Sequence, residues 1–282
     1  MYQLLATIKN LSSTGIRSIS YDEIKLWLGQ FRTDEEKLLG ILIIRYMIYR
    51  NEEQMLSLIK SALRKLAFHY IEEDDEPFIK WLQILNRKDK GLKFTFGPPI
   101  DREFSLPGKS GELMIRFIQQ LGISKSSFDY PECATILNDN DVYVLVDDAI
   151  LTSDQITGIL HKFYALKTLK NCAIVVGIIH KDGLDLLNKN FPNINIFYGE
   201  VITHEHSLTE ISKYWIDKRI WNYEKDPIEV YTDLCNDCEF EKPYYLGHNN
   251  QALLLMYHHS VPDNSLQILW DTSEKWNPLK KR

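Results

Sequence analysis

Two stretches, VYVLV (142–146) and AIVVGII (173–179), are apolar at almost every position. A strand with one wet face alternates apolar and polar residues. A run that is apolar on both parities has to be covered on both faces, which is the condition of a parallel sheet lying between layers of helix. The surrounding chain supplies those helices. ELMIRFIQQLG (112–122) precedes a strand predicted over 141–148. SDQITGILHKFYALKTL (153–169), a strand over 171–180, KDGLDLLNKNF (181–191), a strand over 194–202 and SLTEISKYWIDKRIW (207–221) follow in turn. Strand and helix in alternation predict a doubly wound α/β domain with a central, mostly parallel sheet. QALLLMYHH (251–259) and SLQILW (265–270), parted by the turn VPDN, read as strands added at the C-terminal side.

The first third is different. YDEIKLWLGQF (21–31), DEEKLLGILIIRYMIYR (34–50), NEEQMLSLIKSALRKLAFHY (51–70) and EPFIKWLQIL (76–85) all carry helical periodicity, with the acidic run EEDDE (72–76) as a solvated face. GLKFTFGPPIDREFSLPGKSG (91–111) is rich in glycine and proline and breaks the pattern after a short β-like LKFTF. The expected division is a helical domain over 1–95 and an α/β domain over 96–282.

A net charge of −6, spread along the chain, argues against a broad nucleic-acid or membrane-surface face, and direct nucleic-acid binding by this chain alone is not expected. No apolar run reaches the length of a membrane span, and the start lacks a secretion signal. Cys133, Cys172, Cys235 and Cys238 are then expected to be reduced, in a cytoplasmic setting. Cys235 and Cys238 have the spacing of half a zinc site, with His248, His258 and His259 as possible partners. A closed site needs four ligands, and two reduced cysteines are the simpler reading. No metal site is expected from these residues.

The chemistry concentrates in VYVLVDDAILTSDQI (142–156). Ligands of open α/β sheets bind beyond the carboxyl ends of the strands. Asp147 and Asp148, read at such an end, can accept hydrogen bonds from two neighbouring ribose hydroxyls and stabilise positive charge developing on the ring carbon. The helix that follows offers free N–H groups and its positive dipole end to an anion. Thr152, Ser153, Asp154 and Gln155 stand where that anion would sit. The same TSDQ also reads as a capping box, Thr152 at the cap and Gln155 three residues on, which needs no ligand. Lys109 and Ser110, in PGKSG before a helix, form either an anion-binding loop or a linker with a helix cap. His258 or His259 could be brought over the sheet end by the tail strand, with an imidazole suited to proton transfer.

Residues 142–156 resemble the phosphoribosyl diphosphate motif of type I phosphoribosyltransferases: an apolar strand, two acids, a short linker, then a phosphate loop. The resemblance implies that Asp147 and Asp148 hold the ribose hydroxyls, that Thr152 to Gln155 cradle the 5′-phosphate, and that Lys109 and Ser110 meet a pyrophosphate. The loop departs from the pattern in carrying Ser153 and Asp154 where such enzymes have glycines. The closing segment, GHNNQALLLMYHHSVPDNSLQILWDTSEKWNPLKKR (247–282), is similar to the C-terminus of phosphoribosyltransferase-like proteins of bacterial conflict and antiviral defence operons, some of them retrons. The matching residues are Gly247 and Asn249, Pro262 and Asn264, Trp270, then Trp276, Pro278, Leu279 and Arg282, together with Trp27, Leu28 and Phe31 near the start.

Two functions follow from the resemblance. One is an effector enzyme acting on a phosphoribosyl compound or nucleotide, with Mg²⁺, and with other proteins of its operon as partners. In a retron those would be a reverse transcriptase with its RNA–DNA hybrid, and a DNA-binding protein. The other is an inactive nucleotide sensor or scaffold that keeps the fold and binds partner proteins.

Overall fold

The computed structural model describes residues 2–71, 77–86, 88, 92–101, 110–136, 141–163 and 171–281. In chain order the elements are α1 (Tyr2–Ser13), α2 (Tyr21–Leu28), α3 (Asp34–Tyr46), β1 (Ile48–Arg50), α4 (Glu52–Ile71), α5 (Pro77–Leu85), β2 (Lys93–Gly97) and α6 (Ser110–Gln119). They continue with β3 (Asp141–Ile150), α7 (Asp154–Phe163), β4 (Cys172–His180), α8 (Lys181–Asn190), β5 (Asn195–Ile202), α9 (Leu208–Asp217), α10 (Pro227–Asp237) and β6 (Leu255–Tyr257). Among the described residues, no helix is long and apolar enough to cross a membrane. The acidic run 72–76 and the 164–169 part of the expected helix lie outside the described residues.

These elements form two compact units. One is residues 54–202; the other joins residues 1–53 to residues 203–282. Residue 95, the expected boundary, falls inside β2 and within the first of these. The tail groups with the N-terminal helices because its own strand pairs there. β1 and β6 are parallel neighbours, Ile48 opposite Leu255 and Arg50 opposite Tyr257, so the added strand joins no edge of the central sheet.

In residues 54–202 the strands lie in the order β2-β3-β4-β5, every pairing parallel. All nine residues of β4 are buried, as its unbroken apolar run requires. Tyr143, Leu145, Ile174 and Val176 form one face and pack under Ile156, Ile159 and Leu160 of α7 and Leu187 of α8. The opposite face meets α4 at glycine. A Cβ on Gly177 would stand 2.7 Å from the Met55 sulfur, and one on Gly199 would stand 2.6 Å from the Leu58 Cβ. The strand order follows the chain without reversing. Among the described residues the layout is thus singly wound rather than doubly wound: α7 and α8 share one face, and α4, from ahead of the sheet, covers the other.

In the other unit a single core draws on both ends of the chain, from Ile24, Leu39 and Ile43 to Leu208, Trp215, Leu234, Leu254 and Leu266. Trp276 stands edge-on to Trp27 at 5.8 Å and to Phe31 at 5.1 Å, and its indole N–H donates to the Ile268 carbonyl at 2.8 Å. Those motif residues are thus core. Arg17, 6 % exposed, donates to the carbonyls of Ile44, Arg45 and Met47 at the end of α3. α2 and α3 open on capping boxes, Ser20 with Glu23 and Thr33 with Glu36.

Three expectations change here. The helix over 34–50 stops at Tyr46, and Ile48–Arg50 becomes a strand. The 265–270 segment is not a strand. Gln267–Leu269 forms a single 3₁₀ turn, because Ser265 makes only one bridge, to Leu253, before Leu269 N–H closes on the Leu266 carbonyl. α10 was not expected, although Asp226 caps it and Pro227 sits at its first turn, both readable start signals.

Candidate functional site

β3 does not end at the two acids. It runs on through Ala149 and Ile150, which pair with Ile178 and Ile179 of β4. On its other side the ladder stops at Leu145, opposite Gly97, the last residue of β2. Asp147 and Asp148 therefore lie past the carboxyl end of β2, beside a strand that continues. Alternation would send adjacent side chains to opposite faces. The ladder skips Asp148, however, and the Asp148 amide donates to Asp147 Oδ1 at 3.0 Å. Asp148 Oδ1 accepts the Ala149 amide at 2.8 Å.

Both acids are buried, each 6 % exposed. Burial, reinforced by the charge of Asp148, raises the Asp147 carboxyl well above the usual carboxylate range. Ser110, the first residue of α6, donates its hydroxyl to Asp147 Oδ1 at 3.2 Å. The structure thus brings Ser110 to the acidic pair; Lys109 lies outside the described residues.

The loop after β3 departs from the capping box. Thr152 donates its hydroxyl to Asp154 Oδ2 at 2.8 Å, and the Gln155 amide reaches the Pro99 carbonyl at 3.1 Å. Neither side chain closes the box, because each has a partner elsewhere. Ser153 takes the decisive conformation. Its φ is +69°, in the left-handed region that glycine favours. Its carbonyl accepts the Thr157 amide at 2.9 Å, so α7 starts here. Its side chain is 4 % exposed, and its Oγ has no hydrogen-bond partner. A buried, unsatisfied hydroxyl at a helix N-terminus, held on strained backbone, is a place where an anionic oxygen would gain both a donor and a dipole. Pro98 to Asp101 complete the surroundings. Asp101 pairs with Lys162 at the far end of α7, so the loop after β2 is fastened to α7 at two points. A cavity of about 500 Å³ opens beside it, lined by Phe96, Pro98, Glu112, Arg116, Phe128 and Tyr130 among others.

A family model, PRTase-CE, matches residues 24–282. The chain belongs to the PRTase-CE family. It is a phosphoribosyltransferase-like protein, and the match takes in both units. No curated protein matches it. Among solved structures, the AQ2163 protein from Aquifex aeolicus is similar at 15 % identity, over 64 % of this chain and 83 % of that one, with a TM-score of 0.31.

In this PRTase-CE chain two further ligand-binding candidates remain, Asn249 and His258, and both belong to the unit built from the chain ends. Asn249 holds φ +54° in a turn, and Gly247 before it approaches the Asn264 carbonyl so closely that a Cβ would stand 2.5 Å away. The backbone of His258 extends the β1–β6 pairing, its amide donating to the Arg50 carbonyl at 2.9 Å. Cys235 and Cys238 lie buried at the end of α10, their thiols pushed up by burial to about 12 and about 11. Ser153 as a left-handed residue and Ser110 as the partner of Asp147 are the two site features that no local pattern announces.

Proposed function

We propose that residues 54–202 bind the ribose phosphate part of a phosphoribosyl compound or nucleotide. The 5′-phosphate would take the N-terminus of α7, with Ser153 Oγ as a donor, and the ribose hydroxyls would meet Asp147 and Asp148. The observation that carries this reading is Ser153. It adopts the backbone shape of a glycine phosphate loop without a glycine, and it buries a hydroxyl that has nothing to bond. A diphosphate ligand would bring Mg²⁺, whose hard oxygen ligands would be the diphosphate, water and a carboxylate of the acidic pair. Transfer or cleavage at the anomeric carbon would then rest on positioning and on carboxylate stabilisation of an oxocarbenium-like state. Its place would be as effector of a bacterial defence system such as a retron, alongside the operon's other proteins.

A second reading is favoured by the burial of Asp147 and the upward shift of its carboxyl. A protonated acid is a weak stabiliser of positive charge, so the pocket would sense a nucleotide and signal to partner proteins without turnover. Calorimetry with phosphoribosyl diphosphate and Mg²⁺, then with nucleoside mono- and triphosphates, tests both. Binding that disappears in Asp147→Asn/Asp148→Asn and weakens in Ser153→Ala supports the site. Turnover of the bound ligand selects the enzyme; binding without turnover selects the sensor. No binding of any of these ligands by folded protein would overturn both.

A further inference from the structure

We propose that His258 and His259 form a binding site for a zinc ion or a similar divalent transition metal. The two imidazoles follow β6 directly, and their Nδ1 atoms stand 3.4 Å apart. Adjacent residues of a regular strand project to opposite faces, so this approach needs the chain to turn. It does: the Tyr257 amide donates to the Ser260 carbonyl at 2.8 Å, and Lys280 bonds the His258 carbonyl. The His259 ring stacks on Tyr257, centroids 5.4 Å apart and planes 22° from parallel. Both nitrogens are thus held in place by backbone and ring contacts rather than by long mobile stems.

The separation is that of two ligands on one metal. Zinc–nitrogen bonds of about 2.0–2.1 Å in tetrahedral geometry put the two nitrogens roughly 3.3–3.4 Å apart. The far nitrogen of His258 faces a carboxylate, Nε2 lying 3.7 Å from Glu52 Oε2. At that distance the carboxylate lies beyond hydrogen-bond reach and acts through its negative charge, which favours a cation nearby. Two protein nitrogens leave the remaining positions to water or to an anionic ligand. Without metal, the same two nitrogens share one N–H···N hydrogen bond.

The test is calorimetric titration of the full chain, stripped with chelator, against Zn²⁺, and a parallel titration with Co²⁺ read by visible absorption. One metal per chain is expected, with tetrahedral cobalt bands. His258→Ala and His259→Ala should each weaken it at least tenfold, and Glu52→Gln should weaken it severalfold while leaving the stoichiometry at one. If a histidine variant fails to fold, histidine ring NMR of the unaltered protein decides, since Zn²⁺ should shift the resonances of these two rings first. No zinc binding, or binding that persists in folded histidine variants, would overturn the proposal.

Discussion

Ser153 carries two separate costs at one position: left-handed backbone on a residue with a Cβ, and a buried hydroxyl without a partner. Each is worth roughly 1–2 kcal/mol. Ser153→Gly relieves both, so we expect it to raise the unfolding free energy of the ligand-free protein by about 1 kcal/mol or more in urea titrations. Ser153→Ala relieves only the second and should be nearer neutral, while losing the donor proposed for phosphate. Asp147 gives a prediction with a pH signature. Its carboxyl titrates higher when folded than when unfolded. Folding therefore favours the protonated form; that contribution is complete below the unfolded carboxyl range and is lost as pH rises through the folded value. Asp147→Asn, which keeps an acceptor for Ser110, should melt higher than wild type at neutral pH, by roughly 2–4 °C if the gain is about 1 kcal/mol. The difference should vanish near pH 4, below which the native acid is protonated in both states. Melting curves across that range check it. The two acids and TSDQ were legible in the sequence as residue types suited to a ribose and an anion. Their burial, the positive φ of Ser153 and the hand of Ser110 on Asp147 were not, because each arises from chain that folds in from elsewhere.

At the scale of the element, the central strands were the most legible part of the chain, since two-sided burial writes itself as an unbroken apolar run. β1 was the least. Ile48 to Arg50 continue the helical spacing of α3 without a break, and what turns them into strand is a pairing with residues 255–257, some two hundred positions away. The close fit of α4 on the sheet was equally silent, although the glycine inside AIVVGII is its mark. Gly177→Ala would place a methyl 2.7 Å from the Met55 sulfur and 2.8 Å from the Asp148 carbonyl oxygen. Both neighbours are built into the core, so we expect a loss of about 1–3 kcal/mol. Because Asp148 is one of the two, the same variant should also weaken any ligand held by the acidic pair, measured by the calorimetry described above.

At the scale of the molecule, the sequence suggested that the chain divides once, near residue 95. The packing interleaves it instead: Trp27 and Phe31 have Trp276 as their neighbour, and β1 has β6. A fragment of residues 1–95 would leave that shared apolar surface bare, and we expect it to lack a cooperative thermal transition by circular dichroism. Trp276→Ala in the full chain should cost about 3–5 kcal/mol. The arrangement also imposes an order in time. At a synthesis rate of about 5–20 residues per second, α3 leaves the ribosome roughly 10–45 s before Trp276 does. Its apolar face must wait through the making of the whole parallel sheet, which can close first. Residues 1–53, made before the sheet, are thus expected to be among the last of these residues to become native, and that interval lengthens the time their apolar surface stays bare.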